Sequence, residues 1–309
     1  MSANSARIYA ALAGNPNAGK TSLFNRLTGA NQRVGNYAGV TVEKKEGFRK
    51  IGDRQACFVD LPGLYGLSPY SEEEKIAQQF LVEDQPDVVV AVVDTTNLER
   101  HLYLTVQLVE MGRPMVVAMN MSDEAQAAGY RWKEEVLRHE LGVEVVRTVG
   151  NRGRGIEPLS EAVVSVADAA RKQRAAIRYS PLLEEALRLI EAQLPEVRWG
   201  VSRRWMAVKL LENDTAFLAR LTREGVAIEA AQALAATWRE RIAEKTGLAA
   251  ETQLVEERYS FVRALYKKVM EAEPPAAVTT TEKIDRVLTN RWLGLPMFLV
   301  IMWALFQFV

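Results

Sequence analysis

The sequence predicts an α/β domain on a mostly parallel sheet, followed by an all-helical domain and the start of a transmembrane helix. Three observations carry this expectation. Five apolar runs, Ile8 to Ala13, Ala56 to Leu61, Val88 to Asp94, Met115 to Asn120 and Val143 to Thr148, alternate with stretches of helical length in the first half of the chain. After Arg174 such runs stop, and amphipathic helical patterns follow. From Trp292 to Val309 the chain reads WLGLPMFLVIMWALFQFV, without one charge.

Taken in order, the Val/Ile/Ala-rich runs suit strands covered on both faces, the signature of a parallel sheet between helical layers. Ser71 to Glu83, Leu102 to Met111 and Trp132 to Leu141 have helical length and periodicity, and Ile156 to Lys172, begun by Gly153-Arg154-Gly155, closes a first domain at residue 174. Pro181 to Leu194, Arg203 to Glu212, Ala227 to Lys245 and Glu256 to Ala272 are helical patterns separated by Gly, Pro or Asn-Asp punctuation, which defines a helical unit over 175–273. The aromatic-bearing stretches Trp199 to Leu211 and Ala236 to Ile242 are expected in its core. Glu273-Pro274-Pro275 opens a linker and juxtamembrane segment, 274–291, carrying Lys283, Arg286 and Arg291. Basic residues there favour a cytoplasmic location for this side. As a helix, 292–309 is about 27 Å long, just short of a hydrocarbon core of about 30 Å, and reads as a truncated first membrane helix.

Composition narrows the function. Lys plus Arg and Asp plus Glu both number 39 in 309 residues, which disfavours a nucleic-acid binder held by bulk positive charge. The single cysteine, Cys57, lies in an apolar run and is expected to be a buried strand residue. His101 and His139 are far apart without a further ligand at metal spacing, and read as solvated or capping side chains. The N-terminus lacks the apolar core of a secretion signal.

Gly14-Asn15-Pro16-Asn17-Ala18-Gly19-Lys20-Thr21, followed by Ser22, fits the phosphate-loop pattern between a strand and a helix. Glycines let backbone N–H groups close on phosphate oxygens, Lys20 reaches the β/γ-phosphates, and the Thr21 hydroxyl is a magnesium ligand. Asp60-Leu61-Pro62-Gly63 ends a second strand, where Asp60 suits the magnesium water shell and the Gly63 backbone suits sensing of a γ-phosphate. Asn120-Met121-Ser122-Asp123 ends a third, and its carboxylate matches the paired N1–H and 2-amino donors of guanine, which adenine lacks. Each motif alone is weak apart from the first. Their order, each at a strand end, makes the combination specific.

In these residues the chain resembles the translation-factor-related class of GTPases, a P-loop GTPase domain with a mostly parallel sheet. That resemblance implies a switch threonine at Thr41, in Gly39-Val40-Thr41, as a magnesium ligand of the triphosphate state, and a guanine-contacting loop at Thr148-Val149-Gly150. Leu64 stands where many small GTPases carry a water-orienting Gln, so turnover is expected to be slow. Asn17 occupies the position at which potassium-activated GTPases place a cation ligand, making potassium a candidate source of positive charge. The closer likeness is to the ferrous iron transport protein B (FeoB) family. It runs through Gly14 to Ser22, Asn31 to Asn36, Gly39 to Gly47, Asp60 to Tyr70, Thr96 to Arg100 and Asn120 to Asp123, then Glu256 to Tyr259 and Asp285 to Arg291. Tyr37-Ala38 and Val149-Gly150 depart from the family's usual residues.

The resemblance implies GTP/GDP and Mg2+ as cofactors, with K+ as a candidate. It implies a catalytic group of Lys20, Thr41, Gly63 and Asn17, and a bacterial inner-membrane location with the G domain (1–174) and helical spacer cytoplasmic. The implied partners are a permease domain in the same full-length chain, small Feo accessory proteins and a further copy, but no nucleic acid. Two other readings stay open: a soluble RNA-binding GTPase of ribosome assembly or tRNA modification, and a nucleotide-switched scaffold without a transport role.

Overall fold

A computed structural model describes residues 7–37, 40, 42–67, 71–169, 177–195, 200–272 and 294–308. The five apolar runs become strands β1 (Ile8–Gly14), β4 (Arg54–Asp60), β5 (Val88–Asp94), β6 (Met115–Asn120) and β8 (Glu144–Arg147), all parallel to one another. The sheet has seven strands in the order β2-β3-β4-β1-β5-β6-β8. Its two further members, β2 (Gln32–Asn36) and β3 (Glu43–Ile51), run antiparallel at one edge. They escape sequence analysis because QRVGN and EKKEGFRKI carry charges on a half-exposed edge, where the ladder rather than apolar burial holds the strand.

Alternation along the parallel strands separates the two faces. Ala10, Leu12, Phe58, Val90, Val92, Val116 and Ala118 pack under α1 (Lys20–Thr28) and α6 (Ile156–Ala169). Ala11, Ala13, Val59, Ala91, Val93, Val117 and Met119 point the other way, toward α2 (Glu72–Glu83), α3 (Leu98–Met111) and α5 (Glu134–Leu141). Cys57 is a buried strand residue, as its context predicts.

That second layer is continuous with the helical region. α7 (Pro181–Ala192), α8 (Arg203–Leu211), α9 (Thr215–Arg223), α10 (Glu229–Thr246) and α11 (Ala250–Val269) bury Leu183, Trp205, Phe217, Trp238 and Val262 in the cluster that includes Leu102 and Val106 of α3. α11 lies against α3 and α5. Accordingly, residues up to Glu271 form one compact unit. α9 has no counterpart among the helical patterns read from the sequence; Asp214 caps it by accepting the Phe217 N–H at 3.0 Å. α11 begins six residues before the expected Glu256, and the expected helix end at Met270–Ala272 is instead a short strand, β9, paired with β7 (Arg131–Trp132). Trp132, expected to begin a helix, therefore lies in a strand.

Within the apolar C-terminal run, Gly294–Phe308 is a helix, α12, that exposes Met297, Phe298, Trp303, Leu305 and Phe306. Among the described residues, no helix is long and apolar enough to cross a membrane.

Candidate nucleotide site

Three loops meet where the strand order reverses at β1, between β4 and β5, the usual position of a ligand crevice in an open parallel sheet. Register brings them level: Leu12 pairs with Asp60, Gly14 with Val92, and Asp94 with Asn120. The loop from Gly14 to Gly19 leaves β1 and enters α1, whose first residues are Lys20, Thr21 and Ser22. Two glycines here are required by space. A Cβ at Gly14 would lie 2.5 Å from the Val92 carbonyl oxygen, and one at Gly19, whose φ is +77°, would lie 2.3 Å from Asn120 Nδ2. Asn17 also has positive φ, 66°, a conformation that Asn tolerates better than other side chains.

Lys20 Nζ and Thr21 Oγ1 both donate to the Asp60 carboxylate, the lysine to Oδ1 and the threonine to Oδ2 at 3.1 Å. A hydroxyl and a buried carboxylate side by side at the mouth of a phosphate loop form the hard-oxygen donor set that magnesium takes. The residues present therefore fit that ion. Gly63 lies over the loop, so close to Pro16 that a Cβ would stand 2.9 Å from its Cγ. Leu64 donates its N–H to the Gly14 carbonyl at 3.1 Å, and its side chain is buried. Asn15 is buried too, with no hydrogen-bond partner on Oδ1.

Asn120 is the clamp of the site. Its Nδ2 donates to the Ala18 carbonyl at 2.9 Å, while its Oδ1 accepts Gly150 N–H at 2.9 Å and Thr148 Oγ1 at 3.3 Å. One amide thus ties the phosphate loop to the 148–150 loop, across more than a hundred residues. Met121 turns the chain with φ 56°, and α4 (Ser122–Ala128) begins with Ser122 hydrogen-bonded to the Thr148 carbonyl and Asp123 in its first turn. The structure thus assembles Gly14 to Ser22, Asp60, Gly63, Asn120, Met121, Asp123 and residues 148–150 around one crevice. Val40 donates its N–H to the Tyr37 carbonyl at 3.3 Å. Gly39 and Thr41 lie outside the described residues.

Three supporting groups were not legible beforehand. Thr95 donates to the Asn120 carbonyl at 2.6 Å, fixing the clamp from behind. Glu74, in the first turn of α2, completes a capping box with Ser71 and accepts Tyr65 N–H at 3.2 Å. The S-x-x-E spacing from Ser71 to Glu74 signals the box but not the bond to Tyr65. His101 corrects the expectation of a solvated or capping side chain: it is buried, and its Nδ1 accepts Asp94 N–H at 3.2 Å. Burial lowers its pKa and favours the neutral ring which that bond needs.

A phosphate loop at the switch point, an aspartate at the end of the neighbouring strand and an asparagine clamp ahead of Asp123 define a P-loop GTPase. Known proteins narrow the class. A family profile described as "Ferrous iron transport protein B" matches residues 8–163, and a second, "FeoB cytosolic helical domain", matches 179–271. The chain belongs to the FeoB family. A Porphyromonas gingivalis protein, "Fe(2+) transport protein A/Fe(2+) transporter FeoB fusion protein", is 41% identical over 97% of this chain and 36% of its own length. The chain thus spans little more than a third of such relatives. The cytosolic domain of the T. maritima FeoB iron transporter in apo form superposes with a TM-score of 0.73 at 32% identity, covering 86% of this chain and 100% of that one. A GDP-bound mutant of the S. thermophilus FeoB G-domain gives 0.77 at 36% identity, covering 85% and 100%.

Proposed function

We propose that this chain is the GTP-binding, slowly hydrolysing cytoplasmic part of a bacterial inner-membrane ferrous iron transporter, and that its GTP cycle regulates or drives Fe(II) uptake. In this reading 1–174 is the G domain, 175–273 the helical spacer, 274–291 a linker and 292–309 the beginning of a membrane segment that joins a permease. The observation that carries it is the Asn120 clamp between phosphate loop and base loop, in a chain of this family. Small Feo accessory proteins and a further copy of the chain are its proposed partners.

The roles follow from position. Backbone N–H groups of Gly14 to Thr21 and the Lys20 ammonium neutralise the phosphates, and Asp123 accepts from the guanine edge while Met121 and residues 148–150 wall the base. Thr21 and Asp60 would hold magnesium, with Thr41 joining in the triphosphate state, and the ion held there would supply neutralising positive charge to the phosphates. Asn17 would hold potassium, which stands in for an arginine finger. Gly39 and Val40 precede Thr41 in the same segment, and the Gly63 N–H would sense a γ-phosphate.

The test replaces the matching segment of the Porphyromonas gingivalis relative with this chain and follows uptake of radioactive Fe(II), beside GTP turnover by the chain itself. Lys20→Ala is expected to abolish both. Turnover lost with uptake unchanged would reject the coupling. The RNA-binding alternative predicts retention of ribosomal or transfer RNA, and nothing in the charge balance favours that.

A further inference from the structure

The carboxylate read above as the guanine receptor already has a partner inside the protein. Asp123 Oδ2 lies 3.1 Å from Arg152 Nη1, and its Oδ1 accepts the Glu124 N–H at 3.0 Å. Arg152 ends the short 3-10 turn Gly150–Arg152, immediately after the guanine-contacting loop. The backbone of that turn is pinned on several sides. Gly150 N–H is held by Asn120 Oδ1, the Asn151 carbonyl accepts Arg26 Nη2 at 2.8 Å, and Val149 accepts the Arg152 N–H at 3.0 Å. Gly155 closes the loop with φ +78° where a Cβ would stand 2.1 Å from the Arg147 carbonyl. A fixed backbone therefore delivers a solvent-exposed arm: the Arg152 side chain is 62% exposed, while that of Asp123 is only 20% exposed.

A guanidinium and the N1–H/2-amino edge of guanine offer a carboxylate the same pattern, two N–H donors side by side. Both cannot occupy the same two oxygens. We propose that Arg152 competes with the guanine edge for Asp123 and so accelerates nucleotide release. The proposal rests on reading Asp123 as the guanine receptor. Departure of the base would leave a largely buried carboxylate unpaired, and Arg152 closing on it stabilises the released state. Because the arginine is mostly exposed, the gain is that of a weak ion pair, worth about two- to five-fold in rate. Val149-Gly150 contributes no side-chain hydrogen bond of its own to the base, which leaves Asp123 the main acceptor and gives this competition its leverage.

Stopped-flow release of fluorescent mant-GDP from the nucleotide-loaded chain tests it, in the wild type, Arg152→Ala and Arg152→Lys. Arg152→Ala is expected to slow release about two- to five-fold and to tighten GDP binding equally, with Arg152→Lys between it and the wild type. High salt should erase the difference. The same pair of arginine variants is then compared in an Asp123→Asn background with mant-XDP, where the neutral amide removes the ion pair and Arg152→Ala is expected to have no effect. Unchanged or faster GDP release in Arg152→Ala, or equal slowing in the Asp123→Asn background, would overturn the proposal. Should Asp123→Asn leave the preference for GDP over XDP unchanged, the guanine-receptor reading itself fails, a result read independently of either arginine variant.

Discussion

In the proposed function, selectivity for the base rests on one carboxylate, Asp123. Asp123→Asn is expected to shift preference from guanine toward xanthine nucleotides, because an amide donates where the carboxylate accepts. Isothermal titration with GTP, XTP and ATP checks this, and an unaltered order would remove Asp123 from the base site. Leu64 poses a different question. Its side chain is buried and only its N–H addresses the phosphate loop, so a volume-conserving Leu64→Met is expected to leave hydrolysis nearly unchanged. Leu64→Ala would confound the assay through a cavity costing about 2–5 kcal/mol. Asn17→Gly, which removes the side chain at an exposed position while keeping its φ of 66° unstrained, is expected to remove any potassium stimulation while preserving the fold. Single-turnover GTP hydrolysis in potassium and sodium salts at equal ionic strength separates the two, and a collapse in Leu64→Met with binding intact would defeat the mechanism.

Between residues and the whole, α2 links a helix start to the segment after Gly63. Ser71 caps the helix by accepting Glu74 N–H at 3.1 Å, while the Glu74 carboxylate returns to the N–H groups of Ser71 and Tyr65. The two halves of this box are separable by mutation. Ser71→Ala is expected to lower stability by about 1 kcal/mol without speeding exchange of the Tyr65 amide. Glu74→Ala should do both, because it removes the acceptor for that amide as well. Denaturant melts and residue-resolved hydrogen exchange provide the comparison; equal Tyr65 exchange in the two variants would show that Glu74 does not hold the segment.

Across the whole compact unit, the nucleotide-binding layer and the helices share a buried charged network. Arg258 of α11 donates to Glu110 of α3 at 2.8 Å and to Glu212 at 2.6 Å, and Tyr179 donates its hydroxyl to Glu110. Lys209 of α8 reaches Glu212 at 2.9 Å and the Leu67 carbonyl at 2.7 Å. Removing Arg258 leaves two carboxylates without their shared cation. Arg258→Met is therefore expected to cost about 3–5 kcal/mol in urea denaturation. The acid limb follows from Glu212. Although burial alone would raise its pKa, Lys209 and Arg258 outweigh that and hold it at about 2. A carboxylate with a depressed folded pKa contributes stability above its unfolded pKa and loses it as pH falls through the folded value. Stability is thus expected to decline between about pH 4.5 and 2. Glu212→Gln should flatten that decline; an identical slope would show that this carboxylate does not govern it.

What could be read directly from the residues was whatever depends on a local pattern. The phosphate loop, Asp60 and Asn120-Met121-Ser122-Asp123 each end an apolar run, so a continuous Val/Ile/Ala-rich stretch and a short motif sufficed to place them, and the parallel sheet followed. The edge strands β2 and β3 had no such pattern, because hydrogen-bonding to β4 rather than burial makes them strands. The continuity of the α3 layer with α7 to α11 depends on contacts between residues far apart in sequence, and a helical pattern does not name its partner. The same holds for His101, for Glu74 beneath Tyr65 and for Arg152 against Asp123. Their neighbours lie 7, 9 and 29 positions away, respectively, and only the folded turns that follow β5, β4, and β6 with β8 bring their polar atoms within hydrogen-bonding reach.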